Sequence, residues 1–290
     1  MPDTDTFSYQ EVQLPQGKIR YRDLGEGEPI VFVHGYLVDG RLWTETAEQL
    51  ASTHRCLVPD WPLGAHATAM NEDADLTPPG IARLIADFLE ALDLRGVTMV
   101  GNDSGGAMTQ VLVTRHPERI GRLVLTNCDT FENFPPSVFK LLPPLAKLPG
   151  AMTVVGLPFR VPALRRAAFA PFAKRPIPAA LVDSWMKPSQ SDPAINRDTA
   201  KVTAGMNKRF TLEAAERLKT FDRPTLIAWA PEDRVFKLAD ARKLAGMIPG
   251  ARLETIDDAR TFVALDQPQR LAELIGNFVA ETESAPAASA

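Results

Sequence analysis

Between Val97 and Gln110 the chain reads VTMVGNDSGGAMTQ, which sets Asp103 and Ser104 side by side among Gly101, Gly105 and Gly106. Both side chains carry an oxygen nucleophile. A carboxylate attacks carbon directly to form an ester, whereas a hydroxyl needs a base to take its proton. Two more carboxylates, Asp129 and Asp233, follow apolar runs and can support a base from there. Near the C-terminus, Asp257-Asp258-Ala259-Arg260-Thr261-Phe262 brings an arginine able to pair with Asp103, with Asp233 or with an anionic group on a ligand. The histidines that would normally move protons are few. His34, His54, His66 and His116 are the full set, so the last 174 residues hold none. His34 ends an apolar run at His34-Gly35 and reads as a loop-shaping residue. His54 and His116 read as surface residues at element ends, and His66 as a solvent-facing loop residue.

The elements that must position these groups follow from patterning. Strand character ends at Gly101 and helical character follows Gly106 directly, so the stretch is a sharp strand-to-helix turn. Small residues stand where a Cβ would collide, and the apex is held over the first free N–H groups of a helix. Upstream, residues 9 to 23 read as a hairpin around Pro15-Gln16-Gly17, and Pro29 to Val33 is an all-covered strand. Thr77 is an N-cap, Pro78 starts its helix, and Ile81, Leu84, Ile85, Phe88, Leu89 and Leu92 form one apolar face. Strands at 56 to 58, 120 to 125, 225 to 230 and 253 to 256 alternate with helices, including 237 to 247 and a closing helix from 264 to 280. That order predicts an α/β fold, a mostly parallel sheet with helices on both faces.

The segment 131 to 220 differs in texture. It holds 12 of the 25 prolines, which predicts short helices only. It carries 14 Lys and Arg against 6 Asp and Glu, a balance of +8 beside −4 for the whole chain, which leaves −12 elsewhere.

Together these features resemble the α/β-hydrolase family from about Tyr9 to Ala280. The landmarks are His34-Gly35 after a strand, the turn at 101 to 106, Asp233 after its strand, and the Phe262-Val263-x-x-Asp266-Gln267-Pro268 run. The resemblance implies an α/β-hydrolase core over 1–130 and 221–280 and a helical cap over 131–220, while the low-complexity composition after Thr282 reads the tail, 281–290, as disordered. The family's small-x-nucleophile-x-small-small turn fits Gly101-x-Asp103-x-Gly105-Gly106 at every small position, better than it fits Ser104. This is similar to the aspartate-nucleophile branch of epoxide hydrolases and haloalkane dehalogenases. The implied roles are Asp103 as nucleophile, the Ser104 and Tyr36 amides as stabilisers of developing charge, His34 and Gly35 as shapers of that loop, and Asp233 as acid partner, with Asp129 as the alternative. Thr261 stands where the family has its histidine, and Arg260 where it has glycine. No tyrosine lies in the cap to polarise an epoxide, and Ser104, not tryptophan, follows the nucleophile. Trp185 is a cap residue able to line a pocket.

Composition bounds the rest. A chain of 290 residues, 45% hydrophobic and 23% charged, buries a full core. The acidic, polar start is no secretory signal and no apolar run is long enough to span a membrane. Cys56 and Cys128, in apolar runs without metal-site spacing, read as reduced core thiols. The expectation is a cytoplasmic enzyme without cofactor or metal, with a small-molecule substrate that is partly apolar, and Arg260 with the basic segment leaves room for an anionic group on it. Net charge argues against nucleic acid, no membrane partner is expected, and a homodimer stays open. The leading function is hydrolysis of an ester, epoxide or carbon–halogen bond through Asp103. The alternatives are a non-hydrolytic or ligand-binding descendant that lost its histidine, and a Ser104-dependent esterase.

Overall fold

A computed structural model describes residues 8–283. The residues on which a disordered tail is expected lie, from 284 on, outside the described residues. Eight strands form one sheet: β1 (Gln10–Leu14), β2 (Gly17–Leu24), β3 (Pro29–Val33), β4 (Arg55–Pro59), β5 (Val97–Asp103), β6 (Ile120–Cys128), β7 (Thr225–Trp229) and β8 (Arg252–Thr255). Their order is β1-β2-β4-β3-β5-β6-β7-β8, antiparallel at β1–β2 and β2–β4 and parallel in every other pairing.

The chain builds outward from β3, first to β4 on one side and then to β5 on the other. At such a reversal the two loops leave in opposite directions and open a crevice at the strands' C-terminal ends. The segment after β3 and the turn after β5 therefore meet there. All seven residues of β5 are buried, as a central strand covered on both faces requires.

Helices α1 (Thr44–Leu50), α2 (Pro78–Ala91) and α3 (Ser104–Arg115) belong to the first half of the sheet. The start of α2 is as the sequence predicts, with the Thr77 hydroxyl accepting from the Gly80 N–H and proline at the first position. Between β6 and β7 the chain inserts a helical region: α4 (Leu142–Ala146), α5 (Ala151–Gly156), α6 (Pro162–Phe169), α7 (Ala179–Ser191), α8 (Pro193–Gly205) and α9 (Lys208–Leu218). Two expectations need correction here. Prolines keep α4 to α6 short, but α7 and α8 run 13 residues and α9 runs 11. Pro193 merely opens α8 at a position with no N–H to lose, and Pro188 falls in the last turn of α7. After α10 (Leu238–Met247), the single closing helix is in fact two, α11 (Val263–Asp266) and α12 (Pro268–Glu283). Pro268 cannot continue a helix and biases Gln267 away from helical geometry, so the chain starts afresh there.

Candidate active site

Asp103 ends β5 with φ 53° and ψ −135°, and α3 begins at the next residue. A non-glycine residue held at positive φ costs on the order of 1–3 kcal/mol, and this one aims its side chain out over the crevice. Ser104, by contrast, is already the first residue of the helix. The turn closes only because its neighbours are small. A Cβ on Gly105 would strike the carbonyl oxygens of Val33 and His34, and one on Gly35 would strike the Asp103 carboxylate. The β3 loop and the β5 turn are thus in van der Waals contact at the apex.

The backbone N–H groups of Ser104 and Tyr36 lie against the Asp103 carboxylate and pull its pKa down, while burial pushes it up more strongly and Asp233 adds to the rise, leaving it at about 7. No side chain among the described residues donates to this carboxylate. These two amides are the pair that would hold a developing oxyanion. Tyr36 is fixed by its hydroxyl, which shares a hydrogen bond of 2.7 Å with Thr203 on α8, and burial raises its pKa to about 12. His34 fixes the same loop from below. Its Nε2 accepts the Trp61 N–H at 2.8 Å, so Nδ1 carries the proton and donates to the Gly35 carbonyl at 2.9 Å. Burial lowers the His34 pKa to about 4, and a neutral ring with both nitrogens engaged transfers no proton.

Beside the apex, the Ser104 hydroxyl donates to Asp129 Oδ2 at 2.9 Å. Asp129 is fully buried and its Oδ1 has no partner among the described residues. Burial, followed by repulsion from Asp103, holds its pKa well above the carboxylate range.

Asp233 lies across the strand ends in a different environment. Its Oδ2 accepts from Asn127 Nδ2 at 2.8 Å and Thr261 Oγ1 at 2.9 Å, and its Oδ1 accepts from the Val235 and Phe236 N–H groups at 2.7 and 3.2 Å. Burial raises its pKa against these four bonds. The Thr261 hydroxyl is therefore the donor to Asp233, and its carbonyl accepts from Asn102 Nδ2 at 2.7 Å, which ties this loop to the residue before the apex.

The site opens into a cavity of about 910 Å³ whose floor includes Asp103, Ser104 and Tyr36 and whose walls are largely cap residues such as Met152, Phe159, Phe169 and Met186. Asp233 and Thr261 do not line it. Neither does Trp185, which is fully buried, donates its indole N–H to Asp39 at 3.1 Å and packs against Phe169 and Phe262, so it joins cap to core. The Arg260 guanidinium reaches neither Asp103 nor Asp233; it donates to the Ala173 carbonyl at 3.2 Å. His66 is not solvent-facing as expected. It is 1% exposed, with Nε2 3.4 Å from Asp198 on α8, because the cap folds down over its loop. His54 is buried as well, not at the surface.

Sequence reasoning missed Asn102, Asn127 and Asp266. Asn127 bonds the Ala230 backbone, just after β7, through both ends of its amide. Asp266 accepts the N–H groups of Lys174, Arg175 and Arg260, clamping cap to core. A readable signal existed for the asparagines, since Asn is depleted from strands and both stand in otherwise apolar strand runs.

Comparison with known proteins agrees with this architecture. Residues 28–268 match the family model described as alpha/beta hydrolase fold. A cis-3-alkyl-4-alkyloxetan-2-one decarboxylase from Shewanella oneidensis is 26% identical over 287 residues, covering 92% of this chain and 86% of its own. Among solved structures, a haloalkane dehalogenase from Agrobacterium tumefaciens superposes with TM-score 0.78 at 21% identity over 95% of this chain and 98% of that one. A meta-cleavage product hydrolase from Pseudomonas fluorescens gives TM-score 0.77 at 21% identity over 95% and 98% of the two chains. The chain belongs to the α/β hydrolase fold family.

Proposed function

We propose that the protein is a hydrolase-family enzyme that acts on an ester, epoxide or carbon–halogen bond of a small, mostly apolar molecule, with Asp103 as nucleophile. The carrying observation is the Asp103 carboxylate at positive φ, faced by the Ser104 and Tyr36 amides and open to the cavity. At a carbon–halogen bond or epoxide one carboxylate oxygen bonds the saturated carbon, halide or the ring oxygen leaves with the bonding electrons, and an enzyme ester forms; at an ester the same oxygen bonds the acyl carbon, alkoxide leaves, and an anhydride forms. The other carboxylate oxygen becomes the enzyme-side carbonyl oxygen, beside the same two amides. Water attack on that carbonyl carbon then develops an oxyanion where those amides already point.

The second step lacks its usual base. With both oxygens of Asp233 already accepting two bonds each, and Asp129 fully buried with its Oδ2 taken by the Ser104 hydroxyl, no side chain among the described residues stands in for the histidine. This supports a fast first step followed by slow release. The cavity rim also carries Lys147 and Arg160, which suit a substrate with an anionic group. The test is intact-protein mass spectrometry after exposure to alkyl halides, epoxides and activated esters. A stoichiometric adduct on Asp103 that is absent from Asp103→Asn is expected; no adduct and no turnover with any class would reject the reading.

One observation favours a second reading, esterase chemistry at Ser104: its hydroxyl touches the cavity and is bonded to Asp129. Several similar structures are esterases or serine hydrolases, which adds to it. Retention of an ester adduct in Asp103→Asn and its loss in Ser104→Ala would select this reading instead.

A further inference from the structure

The outer half of the cap presents a surface unlike the rest of the molecule. Eight large aliphatic side chains are exposed among the described residues, and all fall between Val138 and Leu164, with Val138 at 76%, Leu141 at 75% and Val154 at 65%. They sit on α4, α5 and α6 and on the turns around them, and these elements pack on one another in succession, so the exposed groups are gathered in one region of the cap. A monomer rarely leaves so many aliphatics together in water without an occupant for them.

Charge identifies the occupant. No acidic residue stands between Glu132 and Asp183, whereas seven Lys or Arg do. Arg165 and Arg166 pair with Asp183, and Lys174 and Arg175 with acids of the core. Lys140, Lys147 and Arg160 are exposed and form no ion pair among the described residues. Aliphatic side chains set among unpaired basic ones suit a bilayer boundary, where the apolar groups enter the acyl region and the long cationic stems reach anionic headgroups. The cavity gives a second reason. Val138, Leu148, Lys147 and Arg160 belong both to this surface and to the cavity wall, so the mouth opens through it. A protein partner seated here would cover the mouth, while a lipid surface would leave it facing a reservoir of apolar molecules.

We propose that residues 137 to 166 dock the protein on an anionic lipid surface with the cavity mouth turned toward the bilayer. No helix among the described residues is long and apolar enough to cross a membrane, so the contact is peripheral. The inference is independent of the chemistry at Asp103, and its failure would leave that chemistry untouched.

The test is flotation of the full chain with vesicles of phosphatidylcholine, with and without phosphatidylglycerol. Binding to the anionic vesicles at least about tenfold above neutral ones is expected, falling as salt rises. Leu141→Glu with Val154→Glu lowers it about tenfold or more, since two groups that would enter the acyl region become charged. Both residues are exposed and neither lines the cavity, so the thermal unfolding transition stays unchanged and shows that the fold is intact. Lys140→Glu with Lys147→Glu removes the preference for anionic over neutral vesicles. Absence of binding, or binding indifferent to both pairs of changes, overturns the proposal. A concentration-dependent dimer dispersed by Leu141→Glu, without vesicle binding, also overturns it and assigns the face to a second copy of the chain.

Discussion

The two ends of the site are built from the same kind of residue and do opposite things. Asp103 is a buried carboxylate and Asp233 a half-buried one, both at the C-terminal ends of neighbouring parts of one sheet. Around Asp103 the backbone is strained, only amides face the carboxylate and the cavity reaches it, so an oxygen remains to react. Around Asp233 four donors fill the carboxylate and the cavity stops short. The difference lies in what each carboxylate is given to do with its lone pairs. Thr261 is central to it: its hydroxyl donates to Asp233 and presents no basic nitrogen on the far side.

The largest effect should come from removing the reactive end. Asp103→Asn keeps the shape and the amide contacts but not the nucleophile, and should cut first-step rates by about 10⁴ or more, read as adduct formation in single-turnover mass spectrometry. Restoring the other end should come next. Thr261→His is expected to convert a stoichiometric reaction into turnover, accelerating ester release by about 10²–10⁴. Thr261 is fully buried, so the larger ring should also cost about 1–3 kcal/mol in thermal unfolding. If release stays slow in a folded variant, the corner lacks more than a base.

The reactive end was legible in the sequence because glycines leave a chemical trace. Gly101, Gly105 and Gly106 around Asp103 are required by contacts that any side chain would violate, and Thr77-Pro78 marks a helix start by backbone chemistry alone. Local constraints of this kind can be read from neighbours. The inert end was only half legible. The position of Asp233 after its strand is a pattern, but its saturation by Asn127, Val235, Phe236 and Thr261 depends on three separate segments meeting. Arg260 and His66 show the same limit. Arg260 bonds Ala173 and His66 meets Asp198 only because the cap closes on the core, and nothing in their own neighbourhoods announces those partners.

Titration offers a test at intermediate scale. The folded-state pKa of Asp103, about 7, is raised above its unfolded value, mainly by burial. The folded chain therefore holds this proton over a pH range in which the unfolded chain has lost it. Its contribution is fully present below the unfolded value near 4 and lost as pH rises toward 7, on the order of 2–4 kcal/mol. Asp103→Asn should flatten that part of the stability–pH curve. Adduct formation should run the other way, rising through about pH 7 as the carboxylate ionises, and a falling profile would indicate an acid in place of a nucleophile.

The smallest effect separates the apex from its neighbour. Ser104 contributes two groups, an N–H that faces the Asp103 carboxylate and a hydroxyl that donates to Asp129. Ser104→Ala keeps the first and deletes the second. If the reactive end is made by backbone geometry, the Asp103 adduct should form within about threefold of the original rate. The lost bond to a buried acid should still cost about 1–3 kcal/mol of stability. A large loss of rate with the fold intact would move the nucleophile one residue along the chain. It would then make the Ser104–Asp129 pair, and not the strained Asp103, the counterpart to be set against the inert corner at Asp233.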